Sequence, residues 1–411
     1  MLTPETIAIV KSTAPVLAEH GELLTRHFYT RMFTHNPEVL PFFNPTNQHK
    51  GSQQRALAGA IAAYAANIDN LGVLMGAVEL IAQKHASLMI KPEHYPIVGA
   101  NLLASIREVL GTAATDDIIN AWAQAYGFLA DILTKREAEI YADNSEAAGG
   151  WEGFRKFRLI RKETESLNIV SLYLQPADGL QLKTFKPGQY VTVRVTLPNG
   201  MTTMRNYSLS DKPGMDWYRI SVKREKATVQ SAPDGYVSNH LHDHFHIGDE
   251  VEIAPPCGEF CLDASKADKP LVLMAGGVGI TPLISILKNA LELDPQREIL
   301  FIHACVDEEM QAFRQKLHSI EATHPNVRVH SRYSDRDHGT DDTKSFGLLS
   351  EEFLDAQISN RGADFYFCGP KPFMQIVYGV LKNWNIPTDQ VHFEFFGPVQ
   401  DLEAQPLSNA A

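Results

Sequence analysis

The chain has 411 residues, 44% hydrophobic and 21% charged, a composition that supports two or three globular domains, each with its own core. Its 37 basic and 49 acidic residues leave a formal charge of −12, and no basic stripe appears along it, which excludes nonspecific nucleic-acid binding. Cys257, Cys261, Cys305 and Cys368 form no CxxC pair and no zinc or iron–sulfur spacing, so reduced thiols and a cytoplasmic location are expected.

The opening residues, MLTPETIAIVKS, lack a basic segment followed by a long apolar core, so no signal peptide is expected there. Thr3 before Pro4 marks a helix start, and Ile7, Val10, Ala14 and Leu17 then recur at helical spacing. The pattern runs to about Tyr141, with breaks expected at Asn36-Pro37, Asn44-Pro45, Lys91-Pro92 and Gly111. Almost no period-2 alternation interrupts it, so this part reads as an all-α domain.

Three polar residues fall on apolar stripes. Leu74, Val78, Ile81 and His85 share one helical face, which turns His85 inward. Tyr95 opens a stripe with Val98, Leu102, Ile106 and Val109. Glu137 lies within Ile119, Trp122, Tyr126, Leu129, Leu133 and Ile140. A single inward histidine is ordinarily a hydrogen-bonded core residue, but a buried carboxylate is costly and needs a partner. His, Tyr and Glu on three inward faces therefore point to one coupled site. Neutral imidazole suits haem iron when its other nitrogen is held.

The segments RHFYTRMFTHNPE, FFNPTNQ, IAQKHASLMIKPEHYPIVGANLL and AWAQAYGFLADIL…REAEIY, with their spacing, resemble the globin domain of bacterial flavohemoglobins. The resemblance implies that His85 is the proximal ligand of a haem b iron, with Tyr95 and Glu137 as its partners. It places Phe43 as the aromatic wedge of the haem, Tyr29, Gln53 and Leu57 on the distal side, and Lys84 near the flavin–haem junction. Gln53 and Leu57 also begin a stripe with Ile61, Tyr64 and Ile68, one helical turn apart. A phenol at Tyr29 can donate a hydrogen bond to a distal ligand. A bond from His85 to Glu137, helped by Tyr95, would give the imidazole imidazolate character and favour oxygen activation over reversible carriage.

Asn144 to Gly150 is polar, ends in Gly-Gly and reads as a linker. Alternation then begins at Phe157-Arg-Leu-Ile, Ile169-Val-Ser-Leu-Tyr-Leu, Tyr190-Val-Thr-Val-Arg-Val, Tyr218-Arg-Ile-Ser-Val and Val251-Glu-Ile, the pattern of a small β-barrel. Within it PGQY (187–190) and RNYSLS (205–210), followed by GYVSNHL (235–241), resemble the flavin signature of the ferredoxin–NADP reductase superfamily. That implies Arg205 at the FAD pyrophosphate, Tyr207 packed on the isoalloxazine, Ser208 at its N5 edge, and Tyr190 in contact with the cofactor. Asn206 stands where the motif usually carries glutamine, which leaves contacts at that position open.

Leu271 to Leu287 is the longest uncharged stretch, but its glycines and proline make it a buried strand, turn and helix, with no integral membrane association. Gly276-Gly277-Val278-Gly279-Ile280-Thr281-Pro282 follows the strand, so glycine N–H groups stand at a helix N-terminus where a pyrophosphate can bind. Further strands at Ile299-Leu-Phe-Ile-His, Val327-Arg-Val-His and Phe365-Tyr-Phe-Cys indicate a parallel α/β sheet. GVGITP and CGP (368–370) resemble the NAD(P)H half of the same superfamily, and HFEFFGP (392–398) its closing segment, which implies Glu394, Phe395, Phe396, Gly397 and Pro398 against the flavin.

The expected architecture is thus an all-α globin domain (1–145), an antiparallel β-barrel FAD domain (151–263) and an α/β parallel-sheet NAD(P)H domain (268–398). The expected activity is a monomeric nitric oxide dioxygenase in nitric oxide detoxification, moving electrons from NADH or NADPH through FAD to haem. Two alternatives stay open: a reductase of ferric chelates, quinones or peroxides, and an oxygen-binding or gas-sensing globin kept ferrous by its reductase.

Overall fold

Thr3 caps the first helix, its side-chain oxygen accepting the Thr6 N–H at 3.1 Å, and α1 runs over Pro4–Ser12. The computed structural model describes residues 2–43, 51–198, 200–226, 234–266, 269–335, 337, 339–397 and 402; the expected break at Asn44-Pro45 and the candidate Pro398 lie outside them. The stripe expected to continue through Ala14 and Leu17 is broken at Thr13. Its hydroxyl donates to Val10 O at 2.6 Å, and Pro15, which has no N–H to give, opens α2 (Ala14–His35). Then follow α3 (Ser52–Asn67), α4 (Met75–Ser87), α5 (His94–Leu110) and α6 (Asp116–Glu146). Val10, Leu24, Phe28, Met32, Ile106 and Trp122 form the centre of their core.

The linker expectation needs correction. Asn144 lies in the last turn of α6 and is buried, its amide 3.8 Å from Cys257 Sγ. The helix overruns its apolar stripe because its end docks on the next domain.

Six antiparallel strands follow: β1 (Arg155–Ser166), β2 (Ile169–Pro176), β3 (Tyr190–Thr196), β4 (Thr202–Ser208), β5 (Tyr218–Lys223) and β6 (Glu250–Ile253). Their order is β4-β3-β6-β1-β2-β5, and a bridge between Leu209 and Ile220 joins the two outer strands into a barrel. Phe157, Leu172, Val193, Ile220 and Ile253 fill it. Helix α7 (Tyr236–Asp243) packs Val237 and Leu241 into the same core.

The last domain is a parallel sheet in the order β10-β9-β8-β7-β11-β12. Its strands are β7 (Leu271–Gly276), β8 (Ile299–Cys305), β9 (Val327–Tyr333), β10 (Lys344–Phe346), β11 (Asp364–Cys368) and β12 (Val391–Glu394). Helices α8 (Ile280–Leu293), α9 (Arg314–Thr323), α10 (Glu351–Gln357) and α11 (Lys371–Asn383) connect them. The order reverses between β7 and β11, which puts a ligand crevice at the carboxyl ends of those strands. Among the described residues no helix is long and apolar enough to cross a membrane.

Candidate functional site

Helical periodicity brings His85, Tyr95 and Glu137 together from α4, α5 and α6. Glu137 is 2% exposed. Its Oε1 accepts the Tyr95 hydroxyl at 2.5 Å and faces His85 Nδ1 at 2.8 Å, while Tyr95 Oη lies 3.1 Å from the same nitrogen. A carboxylate offers only acceptors, so Nδ1 carries the proton and Nε2 is left with its lone pair. Burial, then the bond to Glu137, pushes the Tyr95 phenol well above its usual range, so it stays a donor. Two further tyrosines of α6 pin the cluster: Tyr126 donates to Tyr95 O at 2.7 Å and Tyr141 to Ile90 O at 2.5 Å.

Among the described residues no group of three or more His, Cys, Asp or Glu side chains could hold a metal ion. A single imidazole with a bare Nε2 suits an iron whose other ligands come with it, as in haem. Across the helical core, the buried Tyr29 is hydrogen-bonded to Gln53, and burial raises its phenol. Its ring lies 5.7 Å from that of Phe43 and 5.8 Å from that of Phe33, and Leu57 packs against the same core.

Gln83 and Ser87, polar residues of α4, are both buried, and both bond to the barrel. Gln83 Oε1 accepts the Gly258 N–H at 3.1 Å, and its amide donates to Glu79, itself paired with Arg136 at 2.7 Å. Ser87 Oγ accepts from Asn206 Nδ2 at 3.1 Å and is hydrogen-bonded to Tyr190. Asn206, which stands where the motif usually carries glutamine, thus bonds to the helical domain. Lys84 Nζ sits 5.2 Å from the centre of the Tyr190 ring. Gly258, at φ +116°, lies under that ring, where a Cβ would come within 2.9 Å of a ring carbon. Val78, Ala82, Ala86, Leu133, Ile140, Tyr190 and Cys257 close around these bonds as one apolar cluster shared by two domains.

Tyr190 pairs with Ser208 and Val191 with Tyr207, so strand alternation sets Tyr190, Asn206 and Ser208 on one face of the barrel wall and Arg205 and Tyr207 on the other. The half-buried Arg205 guanidinium reaches Thr203 Oγ1 at 3.1 Å, and burial lowers its pKa, with Tyr207 opposing. A half-buried cation on the same face as an aromatic side chain fits the pyrophosphate and ring of a flavin.

In the last domain Gly277 (φ +54°) and Val278 are the half-buried part of the glycine loop; Gly279, Ile280, Thr281 and Pro282 are buried and anchor the start of α8. A Cβ on Gly279 would stand 2.1 Å from Cys368 O, so only glycine lets the loop meet the CGP turn. On β12, burial pushes the Glu394 carboxyl up to about 7, with the Lys84 charge opposing. Phe395 packs against the sheet, Phe396 is 50% exposed, and Gly397 has φ +150°. Burial also pushes the thiols of Cys257 and Cys261 up to about 12 and raises those of Cys305 and Cys368.

Three family models match in chain order: Globin over residues 26–133, Oxidoreductase FAD-binding domain over 156–261, and Oxidoreductase NAD-binding domain over 273–378. A flavohemoprotein of Rhodopirellula baltica is 49% identical over 409 residues, covering 98% of this chain and 100% of that one. The chain belongs to the flavohemoproteins. A second flavohemoprotein, from Halalkalibacterium halodurans, is 48% identical over 405 residues, 98% of each chain. The flavohemoglobin of Malassezia yamatoensis, solved with bound FAD and heme, superposes with a TM-score of 0.82 at 25% identity, covering 96% of this chain and 100% of that one. The FAD/NAD-binding domain of a nitric oxide dioxygenase from Vibrio cholerae matches 59% of this chain and 99% of its own, at 32% identity and a TM-score of 0.54. This flavohemoprotein is accordingly an NAD(P)H-dependent oxidoreductase that uses haem and FAD.

Proposed function

We propose that the chain is a nitric oxide dioxygenase, converting NO and O₂ to nitrate with electrons from NADH or NADPH. The observation that carries this reading is the buried Glu137 carboxylate committed to His85 Nδ1 and the Tyr95 hydroxyl. Reversible carriage needs only a neutral imidazole; a carboxylate behind it makes Nε2 a stronger electron donor, which serves turnover. When bound, FAD splits a hydride pair into single electrons and haem provides the iron at which both gases react.

The chain's residues do the rest. His85 supplies the ligand nitrogen and Phe43 the wedge. Tyr29, kept protonated by burial and oriented by Gln53, supplies a hydrogen-bond donor beside Leu57. Arg205, Tyr207, Ser208 and Tyr190 hold the flavin, and the Gly277–Pro282 loop holds the nucleotide. Lys84 and Glu394, whose charges act on each other, would line the junction of flavin and haem, and Phe395 and Phe396 would flank the flavin.

Adding NO to the protein and NAD(P)H under air should accelerate NAD(P)H consumption and yield nitrate. Consumption indifferent to NO would return the chain to a reductase of other acceptors. Tyr29→Phe, nearly isosteric, should keep the fold and lower NO turnover several-fold, roughly the value of one hydrogen bond; unchanged turnover would leave Tyr29 a core residue. Arg205→Ala should weaken FAD retention by about 1.5–3 kcal/mol, the value of a charge-assisted contact, while haem loading holds. Flavin titration of the apoprotein measures it, and an unaltered affinity removes Arg205 from the site.

A further inference from the structure

We propose that His303 is a positioning residue for the nicotinamide nucleotide: by holding the Gly277 carbonyl inward, it aims the Val278 N–H outward at the nucleotide's phosphates. His303 lies on β8, opposite Ala275 of β7, and its side chain is fully buried. Its Nε2 is 3.0 Å from Gly277 O, and that carbonyl also accepts the Ile280 N–H that starts α8. A carbonyl only accepts, so Nε2 carries the proton and Nδ1 is the acceptor, 3.5 Å from Gln311 Nε2. The amide of Gln311, itself 3% exposed, is held by Ser331 Oγ at 2.9 Å, and Tyr333 donates to its Oε1. Burial pushes the imidazole pKa down to about 4, so this neutral tautomer stands throughout the neutral range.

In a trans peptide the C=O and the following N–H point in opposite directions. With Gly277 O drawn into the core, the Val278 N–H faces the crevice at the β7–β11 reversal, where a dinucleotide pyrophosphate is bound by backbone donors. Gly277, at φ +54°, has the freedom to turn this peptide either way, so the bonds its carbonyl makes decide it, and His303 adds to the local Ile280 N–H the one that comes from outside the loop. An apolar residue at 303 would fill the core without the cost of a buried imidazole that needs Gln311 as its own partner. That this relay ends on one loop carbonyl is what a packing role leaves unexplained.

The inference rests on the nucleotide-binding domain and not on the acceptor, so it stands or falls independently of NO turnover. The test uses the full-length holoprotein. Calorimetric titration with NAD⁺ or NADP⁺, whichever matches the nucleotide that reduces the flavin, gives Kd, and stopped-flow reduction gives the limiting rate. His303→Leu should raise Kd roughly tenfold. FAD content, haem content and the limiting rate of flavin reduction should stay near wild type. His303→Gln, whose amide reaches as far as Nε2 and can donate to Gly277, should restore most of the affinity. A wild-type Kd in His303→Leu overturns the proposal, as does a parallel fall of affinity, limiting rate and thermal midpoint in both variants. If His303→Leu fails to fold, Gln311→Leu, which frees the imidazole, should raise Kd several-fold, and an unchanged Kd there overturns it equally.

Discussion

His85→Ala should purify with FAD and without haem. The variant removes the one nitrogen left with a bare lone pair at the helical site, while alanine preserves α4, being the best helix former. Gln83–Gly258 and Ser87–Asn206 survive on the neighbouring face, so the barrel keeps its docking helix. Glu137 loses one of its two donors, a deficit of about 1–3 kcal/mol for a buried acceptor, partly relieved by water entering the space. The helical domain should therefore melt earlier than the reductase domains, whose cores lie elsewhere. Haem and flavin absorbance per mole of protein decides the matter. A variant with tightly bound, normally ligated haem would assign the iron to another residue.

Glu137→Gln should produce a selective loss at the haem step, with NO turnover falling about 10–100-fold, the usual cost of losing the partner behind a metal-ligating histidine. Glutamine keeps the shape within the stripe of α6, and its amide oxygen can still accept from Tyr95 or His85. What disappears is the charge. A neutral acceptor draws the Nδ1 proton less strongly, so Nε2 becomes a poorer donor. NAD(P)H-dependent ferricyanide reduction should remain near wild type because it takes place in the other two domains. Resonance Raman of the ferrous protein should show a shifted iron–histidine stretch, which a packing defect alone would not produce. Wild-type NO turnover with an unshifted stretch would make Glu137 structural and favour a simple oxygen carrier.

The helical triad was legible because a period of 3.6 residues fixes which side chains share a face, and Glu137 broke an otherwise apolar stripe. The barrel and the parallel sheet were legible in the same way, from alternation and from continuous apolar runs. What escaped were features set by a neighbouring domain. Gln83 and Ser87 carried no signal of their own and Asn144 read as part of a linker, yet all three are buried where the barrel docks. Strand β4 was hidden because TTMRNYS mixes polar residues on both faces and shows no alternation. β10 and β12, of three and four residues, are too short to carry a period. His303 vanished into an apolar run, since the Gly277 carbonyl it holds lies on a loop 26 residues away in sequence.

The buried sulfurs have a practical consequence. Thiolates, not thiols, react with nitrosating and oxidising species. With pKa values of about 12 at Cys257 and Cys261, on the order of one thiol in 100,000 is ionised at neutral pH. Burial raises Cys305 and Cys368 in the same manner, and of the four sulfurs only Cys261 is half-buried rather than buried. Held as thiols, the four sulfurs are poor targets for S-nitrosation and for oxidation, so the chemistry of this oxidoreductase is confined to its cofactors.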